Sequence, residues 1–340
     1  MKKTWQVGIV GAGGLVAGEL IGLLERRDFP LESLRLFGGI EDAGEALEFR
    51  GKSLSLEAMR SDYHSGLDLI FFAAHELVSR DLAEDAAGAG ATVIDASRAF
   101  RLDKDIPLIV PELNARRLAP KKKGGRIIAS PGPSAIALSL VLAGIEREFG
   151  LGRVAVFALY PSSHAGRAGL AEHQEQTVAL LNQQEFEAVK FARPVAFNIF
   201  PQVGEFRGSA TQEESDLAAE LKKILERPEM KISAACAQVP VFAGISILLA
   251  LETKKTASER QLRELLEHSP GLAVLDAPGA GLYPDLLSSL EQARVLAGRI
   301  RQEPDSERNF QLWLNADNLR KGSSLNMVQI AELLVEKDLI

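Results

Sequence analysis

Trp5-Gln6-Val7-Gly8-Ile9-Val10-Gly11-Ala12-Gly13-Gly14-Leu15-Val16-Ala17-Gly18 is the stretch on which the fold turns. Its first six residues are an apolar run that stops at glycine, which reads as a buried strand. The glycines form a turn, and Glu19 to Arg27 continue as a helix. Strand, glycine turn and helix in that order is the context of a dinucleotide site, more specific than a glycine pattern alone. In such a turn the backbone comes close to a pyrophosphate, and the helix start offers N–H groups to an anion. Gly11, Gly13, Gly14, Leu15 and Val16 are therefore the candidate cofactor-binding residues. The third glycine position of the pattern is held by Val16, with Ala17 and Gly18 beyond it. The competing reading is a turn that only packs its helix on the sheet.

Working outward, Leu34-Arg35-Leu36-Phe37 reads as the second strand, and a dinucleotide site reads the adenosine ribose where that strand ends. The loop there is Gly38-Gly39-Ile40-Glu41-Asp42-Ala43-Gly44. Glu41 or Asp42 would repel a 2′-phosphate, so a bound nucleotide would be NAD, with NADP disfavoured. If none binds, the two acids are a solvated loop. Leu67 to Ala74 reads as a strand, Glu76 to Ala87 as a helix with Gly88 placed to end it, and Thr92-Val93-Ile94-Asp95 as a strand. Ile106 to Asn114 reads as another strand. Alternation of this kind argues a parallel, doubly wound sheet. Arg98 and Arg101 fall in the loop after Asp95, where ligands of such sheets bind; each is either an anion contact or a surface residue.

Arg126-Ile127-Ile128-Ala129-Ser130-Pro131-Gly132-Pro133-Ser134 is a short strand and a Pro/Gly turn leading into an apolar helix. Such a turn is a natural seat for a nucleophile. Its only hydroxyls, Ser130 and Ser134, have no base in local sequence, and Ser134 reads more simply as an N-cap. Beyond it the pattern changes. Arg153 to Tyr160, Val195 to Pro201, Ile232 to Val241, Ile245 to Leu251 and Arg308 to Leu314 read as strands. Ile232 to Leu251 as a whole reads as two buried strands or a strand and a turn. Helices are expected at Gly169 to Asn182, Glu213 to Glu226 and Glu259 to Glu267. This half is expected to be an α+β domain with a mixed sheet. The tail Asp317 to Lys337 is apolar at helical spacing and is expected to return to the first domain. The expected domains are residues 1–132 with 318–340, and 133–317.

With 340 residues, 46% hydrophobic and 25% charged, the chain is globular and long enough for two cores. A formal charge of −7 gives no electrostatic case for nucleic acid or an anionic membrane. Lys121-Lys122-Lys123 reads as a solvated turn. Met1-Lys2-Lys3 before an apolar run imitates an export signal, but the glycines that follow break it. The uncharged run Ile232 to Leu251 has membrane-spanning length, yet Gln238, Pro240 and Gly244 interrupt it. One cysteine, Cys236, excludes an internal disulfide and fits a reducing, cytoplasmic setting. With five scattered histidines no metal-ligand spacing is present. His164 beside Ser162 and Ser163 invites a hydrolase reading, but no strand–GxSxG–helix elbow supports it.

The motifs taken together resemble the aspartate-semialdehyde dehydrogenase family over nearly the whole chain. They are Gly-Ile-Val-Gly-Ala-Gly-Gly from Gly8, Val-Ile-Asp-Ala-Ser-Arg-Ala-Phe-Arg from Val93 and Val-Pro-Glu-Leu-Asn from Val110. Phe-Asn-Ile-Phe-Pro from Phe197, Val-Pro-Val-Phe-Ala-Gly from Val239 and Asp-Asn-Leu-Arg-Lys-Gly from Asp317 follow in order. The resemblance implies a Rossmann-like dinucleotide domain, an α+β domain that also makes a homodimer, and NADP-dependent reductive dephosphorylation of aspartyl phosphate. That chemistry needs a thiolate to form a thioester, a hydride from the nicotinamide and a histidine for the proton.

The resemblance also locates the departures. Where the family pattern carries its cysteine, this chain has Pro133. The acid/base histidine position is Ile245, the substrate arginine position is Gln238, and the lysine of Glu-Glu-x-Lys is Asp216. Pro161 replaces a glutamine, and the 2′-phosphate arginine is missing near Glu41 and Asp42. Arg101 and Glu213 remain at matching substrate positions, as an anion site of the substrate type. The expectation is a catalytically degenerate, Usg-type member with no catalytic residues, no metal, an unidentified small-molecule ligand, and dimerisation retained. The alternative is an NAD(P)-dependent aldehyde or acyl-phosphate oxidoreductase of lysine, threonine and methionine biosynthesis.

Overall fold

The computed structural model describes residues 4–39, 42, 44–118 and 125–340. Met1–Lys3, Glu41 and Lys121–Lys123, singled out above, lie outside the described residues. The chain falls into two compact units, residues 1–132 with 323–340 and residues 133–322.

The first unit is built on a seven-stranded sheet. Its strands are β1 (Trp5–Val10), β2 (Leu31–Gly38), β3 (Ala46–Phe49), β4 (Lys52–Ala58), β5 (Leu69–Phe72), β6 (Thr92–Asp95) and β7 (Arg126–Ala129). They lie in the order β3-β4-β2-β1-β5-β6-β7. All pairs are parallel except the β3–β4 hairpin. Helices α1 (Leu15–Arg26), α2 (Glu76–Gly88), the short α3 (Pro111–Asn114) and α9 (Leu325–Glu336) complete the unit. The order runs outward on both sides of β1 and β5, the doubly wound arrangement expected. Strands β1, β5 and β6 have almost wholly buried residues, as strands covered on both faces must. Ile9, Leu20, Leu24, Phe71, Val328 and Ile330 are fully buried in one core cluster. Each contributes about 1.5–3 kcal/mol by leaving water.

The second unit holds α4 (Pro133–Phe149), β8 (Leu151–Tyr160), α5 (Gly166–Leu181), β9 (Phe206–Arg207), β10 (Ala210–Thr211) and α6 (Gln212–Ile224). It continues with β11 (Lys231–Gln238), β12 (Ile245–Thr253), α7 (Glu259–Glu267), β13 (Leu272–Val274), α8 (Leu286–Ser289), β14 (Val295–Gln302) and β15 (Asn309–Ala316). Six strands form a mixed sheet in the order β11-β8-β12-β15-β14-β13. Helix α4 packs against β8, β12 and β15, α6 against β11, and α7 against β13 and β14. Burial alternates along β12 and along β8 from Arg153 onward, so one face is core and the other open. The open face is apolar at Ala155, Phe157, Leu159, Leu248 and Ala250, with Phe157 42% exposed.

Four local expectations change. Ile106 to Asn114 is not a strand: Leu108 makes one bridge to Ala129, and Pro111 begins α3. Pro107 lacks an N–H for a ladder, while Pro111 suits a first helical turn. The Asn114 side chain then satisfies Val110 N–H and Leu108 C=O, both at 2.9 Å. Val195 to Pro201 is also no strand. Gln176 Oε1 accepts from Val195 and Ala196 N–H, and Phe197 sits at φ 55°, so the segment is reduced to one isolated bridge, Phe200 with Gln238. Helix α4 starts at Pro133, which puts Ser134 inside the first turn rather than at the cap. The tail begins with a π turn, Arg320–Ser324, before α9. Among the described residues no helix is long and apolar enough to cross a membrane; the run from Ile232 to Leu251 is most of β11, a turn and most of β12.

Candidate functional site

In the first unit the glycine turn is held by backbone. Gly11 and Ala12 N–H both donate to Phe37 C=O at 2.9 Å, and Gly14 N–H donates to Gly11 C=O at 3.0 Å. Gly11 adopts φ 82°, and a Cβ there would lie 2.7 Å from the Ala73 carbonyl oxygen. Gly14 is the N-cap of α1 and supplies no side-chain cap, so the first-turn N–H groups of Leu15 and Val16 are those of an open helix start. The backbone is thus bare where a pyrophosphate would need it, and the residues present fit a dinucleotide. Asp42 leans onto this turn. Its Oδ2 accepts from Gly39 N–H at 3.0 Å, and its carboxyl group is about 3 Å from where a Gly13 Cβ would stand.

Arg101 lies in the loop after β6. It is only 9% exposed, and its guanidinium donates to Ala96 C=O at 2.6 Å. Asp95, at the end of β6, accepts from Ser97 Oγ at 2.6 Å, and burial pushes its carboxyl above the usual range. Arg98 is half-buried in the same loop.

The second unit brings together most of the other residues singled out. Glu213 lies at the start of α6 and is 4% exposed. The fully buried Tyr160, at the end of β8, donates its hydroxyl to Glu213 Oε1 at 2.8 Å. His164 stands edge-on to the Tyr160 ring at 4.7 Å, with Nε2 3.6 Å from Glu213 Oε2. Burial, and then the Glu213 charge, raise the Tyr160 hydroxyl well above its ordinary value, so it stays a neutral donor. Gln238, at the end of β11, spends its side-chain amide on Tyr160 C=O at 2.9 Å and Val239 C=O at 3.3 Å. A residue so engaged does not replace an arginine reaching for an anion. Asp216 is buried one turn along α6 from Gln212.

Pro133 begins α4, and Gly322 packs onto it so closely that an added Cβ would lie 2.6 Å from Pro133 Cβ. Ile245 is fully buried in β12, paired with Ala316 of β15. Cys236 is also fully buried, in β11. Burial first, then the charges of Glu213 and Glu214, push its thiol far up. Proline, isoleucine and a buried thiol supply neither a thiolate nor a proton donor.

Two features escaped the sequence reading. His173 of α5 is 3% exposed, places Nδ1 2.9 Å from Ser162 Oγ and stacks on Phe242 at 4.4 Å. Glu172 beside it accepts from Val189 N–H at 3.1 Å and tethers the chain after α5. Both are long-range contacts with no spacing signature. Burial lowers the His173 pKa below its ordinary value of about 6.5. Below that pH the unfolded chain takes a proton that folded His173 refuses, so stability is full above it and falls as the solution is acidified. A His173→Gln variant is expected to lose less of its urea midpoint between about pH 7.5 and 5 than the parent; an unchanged acid-side loss would refute the assignment.

Comparison with known proteins agrees with this geometry. Residues 6–120 match a family model described as semialdehyde dehydrogenase, NAD binding domain, and residues 142–321 match semialdehyde dehydrogenase, dimerisation domain. The chain is 37% identical to aspartate-semialdehyde dehydrogenase of Aquifex aeolicus over 99% of both chains. It is 34% identical to the USG-1 protein homolog of Azotobacter vinelandii, again over 99% of each. The crystal structure of aspartate semialdehyde dehydrogenase II from Vibrio cholerae superposes with a TM-score of 0.93 at 33% identity, covering 98% of this chain and 99% of that one. A nucleotide-type turn, a mixed dimerisation-type sheet and end-to-end similarity converge: the chain belongs to the aspartate-semialdehyde dehydrogenase family.

Proposed function

We propose that this chain is a catalytically degenerate member of its family that retains dimerisation and binds NAD in preference to NADP. The observation that carries the loss of catalysis is the state of its one cysteine. A thioester route needs a thiolate. Cys236 is fully buried, and its thiol is held protonated by burial and two neighbouring carboxylates. Pro133 and Ile245, where the family resemblance puts nucleophile and acid/base, have no group that can attack or shuttle a proton.

The nucleotide preference is supported by Asp42. Its carboxylate against the Gly13 turn suits the hydroxyls of an unphosphorylated ribose and repels a 2′-phosphate. When bound, the nucleotide would supply hydride chemistry; Gly11, Gly13, Gly14, Leu15 and Val16 would seat its pyrophosphate. Dimerisation is supported by the open sheet face, whose apolar row on β8 and β12 stays partly exposed, Phe157 most of all, and suits a second copy of the chain.

The rival reading is an active NAD(P)-dependent semialdehyde dehydrogenase, favoured by the names of the relatives. One assay separates them. Purified protein with aspartate semialdehyde, phosphate and either NAD or NADP is expected to show no reduction above the protein-free rate. Turnover at about 1 per second or faster would overturn the degenerate reading. Calorimetry under the same conditions is expected to show saturable NAD binding and much weaker NADP binding, with Asp42→Ala narrowing the gap. Equal affinity in the parent would refute the assignment to Asp42.

A further inference from the structure

A single row of positions crosses the open face of the mixed sheet. Phe157 of β8 pairs with Leu248 of β12, Leu248 with Trp313 of β15, and Trp313 with Gly298 of β14. Directly paired residues share a face, so the four form one line across four strands. The line is high at one end and hollow at the other. Phe157 protrudes and is 42% exposed. Gly298 contributes no side chain, and Pro284 packs on it so closely that an added Cβ would lie 2.6 Å from Pro284 Cδ. Between Leu248 and the wall of Tyr283 and Pro284, beside Trp313, the face sinks into a hollow of about 550 Å³.

The hollow has a rigid aromatic side. Trp313 Nε1 donates to Asn315 Oδ1 at 2.8 Å, and Asn315 Nδ2 donates to Ser246 Oγ at 2.6 Å. An indole whose polar edge is satisfied presents a bare aromatic face. Tyr283 at the rim is 47% exposed. Arg299 and Arg301 also line the hollow. The register of β14 with β15 shifts between Gly298 and Arg301, and Arg299 adopts φ 51°. A bulge re-aims side chains at such a point, and a guanidinium at an aromatic pocket is suited to lie against an incoming ring.

A two-fold contact uses the same patch on both copies, so a knob must find its hole on the surface that carries it. This row carries both. Neighbouring strands are about 4.8 Å apart, so Phe157 and Trp313 stand about equally far from Leu248 on either side. A two-fold axis passing between the sheets over Leu248 therefore reverses the row and brings each Phe157 opposite the other copy's Trp313. We propose that this row closes the homodimer: Phe157 of each copy enters the hollow of the other and packs on its Trp313, with Leu248 meeting Leu248 at the axis. The proposal rests on the dimerisation proposed above and names the side chains that make it. Buried aromatic anchors seated in pockets carry most of the affinity of such interfaces.

The test measures the dimer dissociation constant of the full chain by analytical ultracentrifugation. Each dimer holds the ring contact twice, so Phe157→Ala is expected to weaken association about a hundredfold, and Trp313→Ala the same. Within one copy the two rings are about 10 Å apart and should act independently. Across the interface they touch, so the double variant should lose little more than either single one. Phe157→Ala sits at an exposed position and keeps the test decisive if Trp313→Ala does not fold. Trp313 emission, separated from that of the buried Trp5 with Trp313→Phe, should shift to the blue as the parent dimerises. A dimeric parent whose Phe157→Ala variant keeps the parental constant overturns the proposal and leaves dimerisation to another face. So does a double variant weakened by the product of the single effects, or a Trp313 emission unmoved by dimerisation. A parent that stays monomeric at about 100 µM defeats the dimerisation reading itself.

Discussion

Gly11→Ala is expected to destabilise the first unit by about 2–5 kcal/mol and to abolish nucleotide binding. The two costs come from one atom. At φ 82° an alanine is in the left-handed region, which costs roughly 1–2 kcal/mol. The same methyl group would stand 2.7 Å from Ala73 O and 2.9 Å from its carbonyl carbon, well inside contact distance. A backbone carbonyl at the end of β5 cannot turn aside as a side-chain tip can, so the turn or the strand must shift, adding about 1–3 kcal/mol. Any shift also breaks the paired Gly11 and Ala12 bonds to Phe37 C=O that set the turn against β2. Urea unfolding followed by circular dichroism measures the first effect and NAD calorimetry the second. A variant with parental midpoint and parental NAD affinity would show that the turn tolerates a side chain and needs no close backbone approach. The neighbouring Gly18, with open space around its missing Cβ, is the internal control: Gly18→Ala should hold or gain stability within the helix.

The first unit was legible because its signals are local. Apolar runs of strand length, glycine turns and helix periods each lie within a dozen residues, and β1, β2, β5, β6 and β7 follow them. What was lost there also has local causes. The β3–β4 hairpin is short and largely exposed, so its strands carry no apolar run to read. In the second unit the open sheet face blurs the hydrophobic pattern. β14 passes through an exposed arginine bulge and was not read as a strand, although its Val295 to Gly298 half is buried. The segment from Val195 to Pro201 has strand composition, but its Val195 and Ala196 donors are claimed by Gln176, nineteen and twenty residues earlier. No periodicity reports a side chain that substitutes for a ladder.

The site divides along similar lines. The sequence resemblance singles out Pro133, Gln238, Glu213 and Ile245, and the structure supplies what they touch. The Tyr160–Glu213 bond spans 53 residues and the His173–Ser162 pair joins α5 to the turn after β8. A carboxylate with a buried tyrosine on one oxygen and a histidine near the other is a different chemical object from the isolated Glu213 of the sequence. Asp42 is the converse case. Its acidity was legible in the loop, while its approach to Gly13 depends on the turn's geometry.

A histidine at Ile245, where the family resemblance expects one, is the sharpest trial of the proposed degenerate reading. Ile245→His is expected to cost about 2.5–6 kcal/mol and to produce no dehydrogenase activity. Ile245 is fully buried between β8 and β15. Losing its apolar burial removes roughly 1.5–3 kcal/mol. An imidazole in its place buries a polar ring, which costs about 1–3 kcal/mol wherever a ring nitrogen lacks a partner. The added ring would titrate below its ordinary value of about 6.5 for the same reason, so the penalty should deepen as pH falls through that value. Adding Pro133→Cys places a thiol at the start of α4, where a helix terminus favours the thiolate. Gly322 nevertheless packs against that position, and Gln238, where the resemblance expects an arginine, spends its amide on Tyr160 C=O instead of offering a guanidinium fork. The double variant is therefore expected to react with iodoacetamide in its folded state, which the parent's buried Cys236 should not, and still to fail in phosphate-dependent turnover. Appearance of turnover on restoring these two residues alone would mean that the remaining site is a working one merely lacking its reagents. The degenerate reading expects no such rescue, because the family resemblance also puts Gln238 and Asp216 where it expects an arginine and a lysine for the anion.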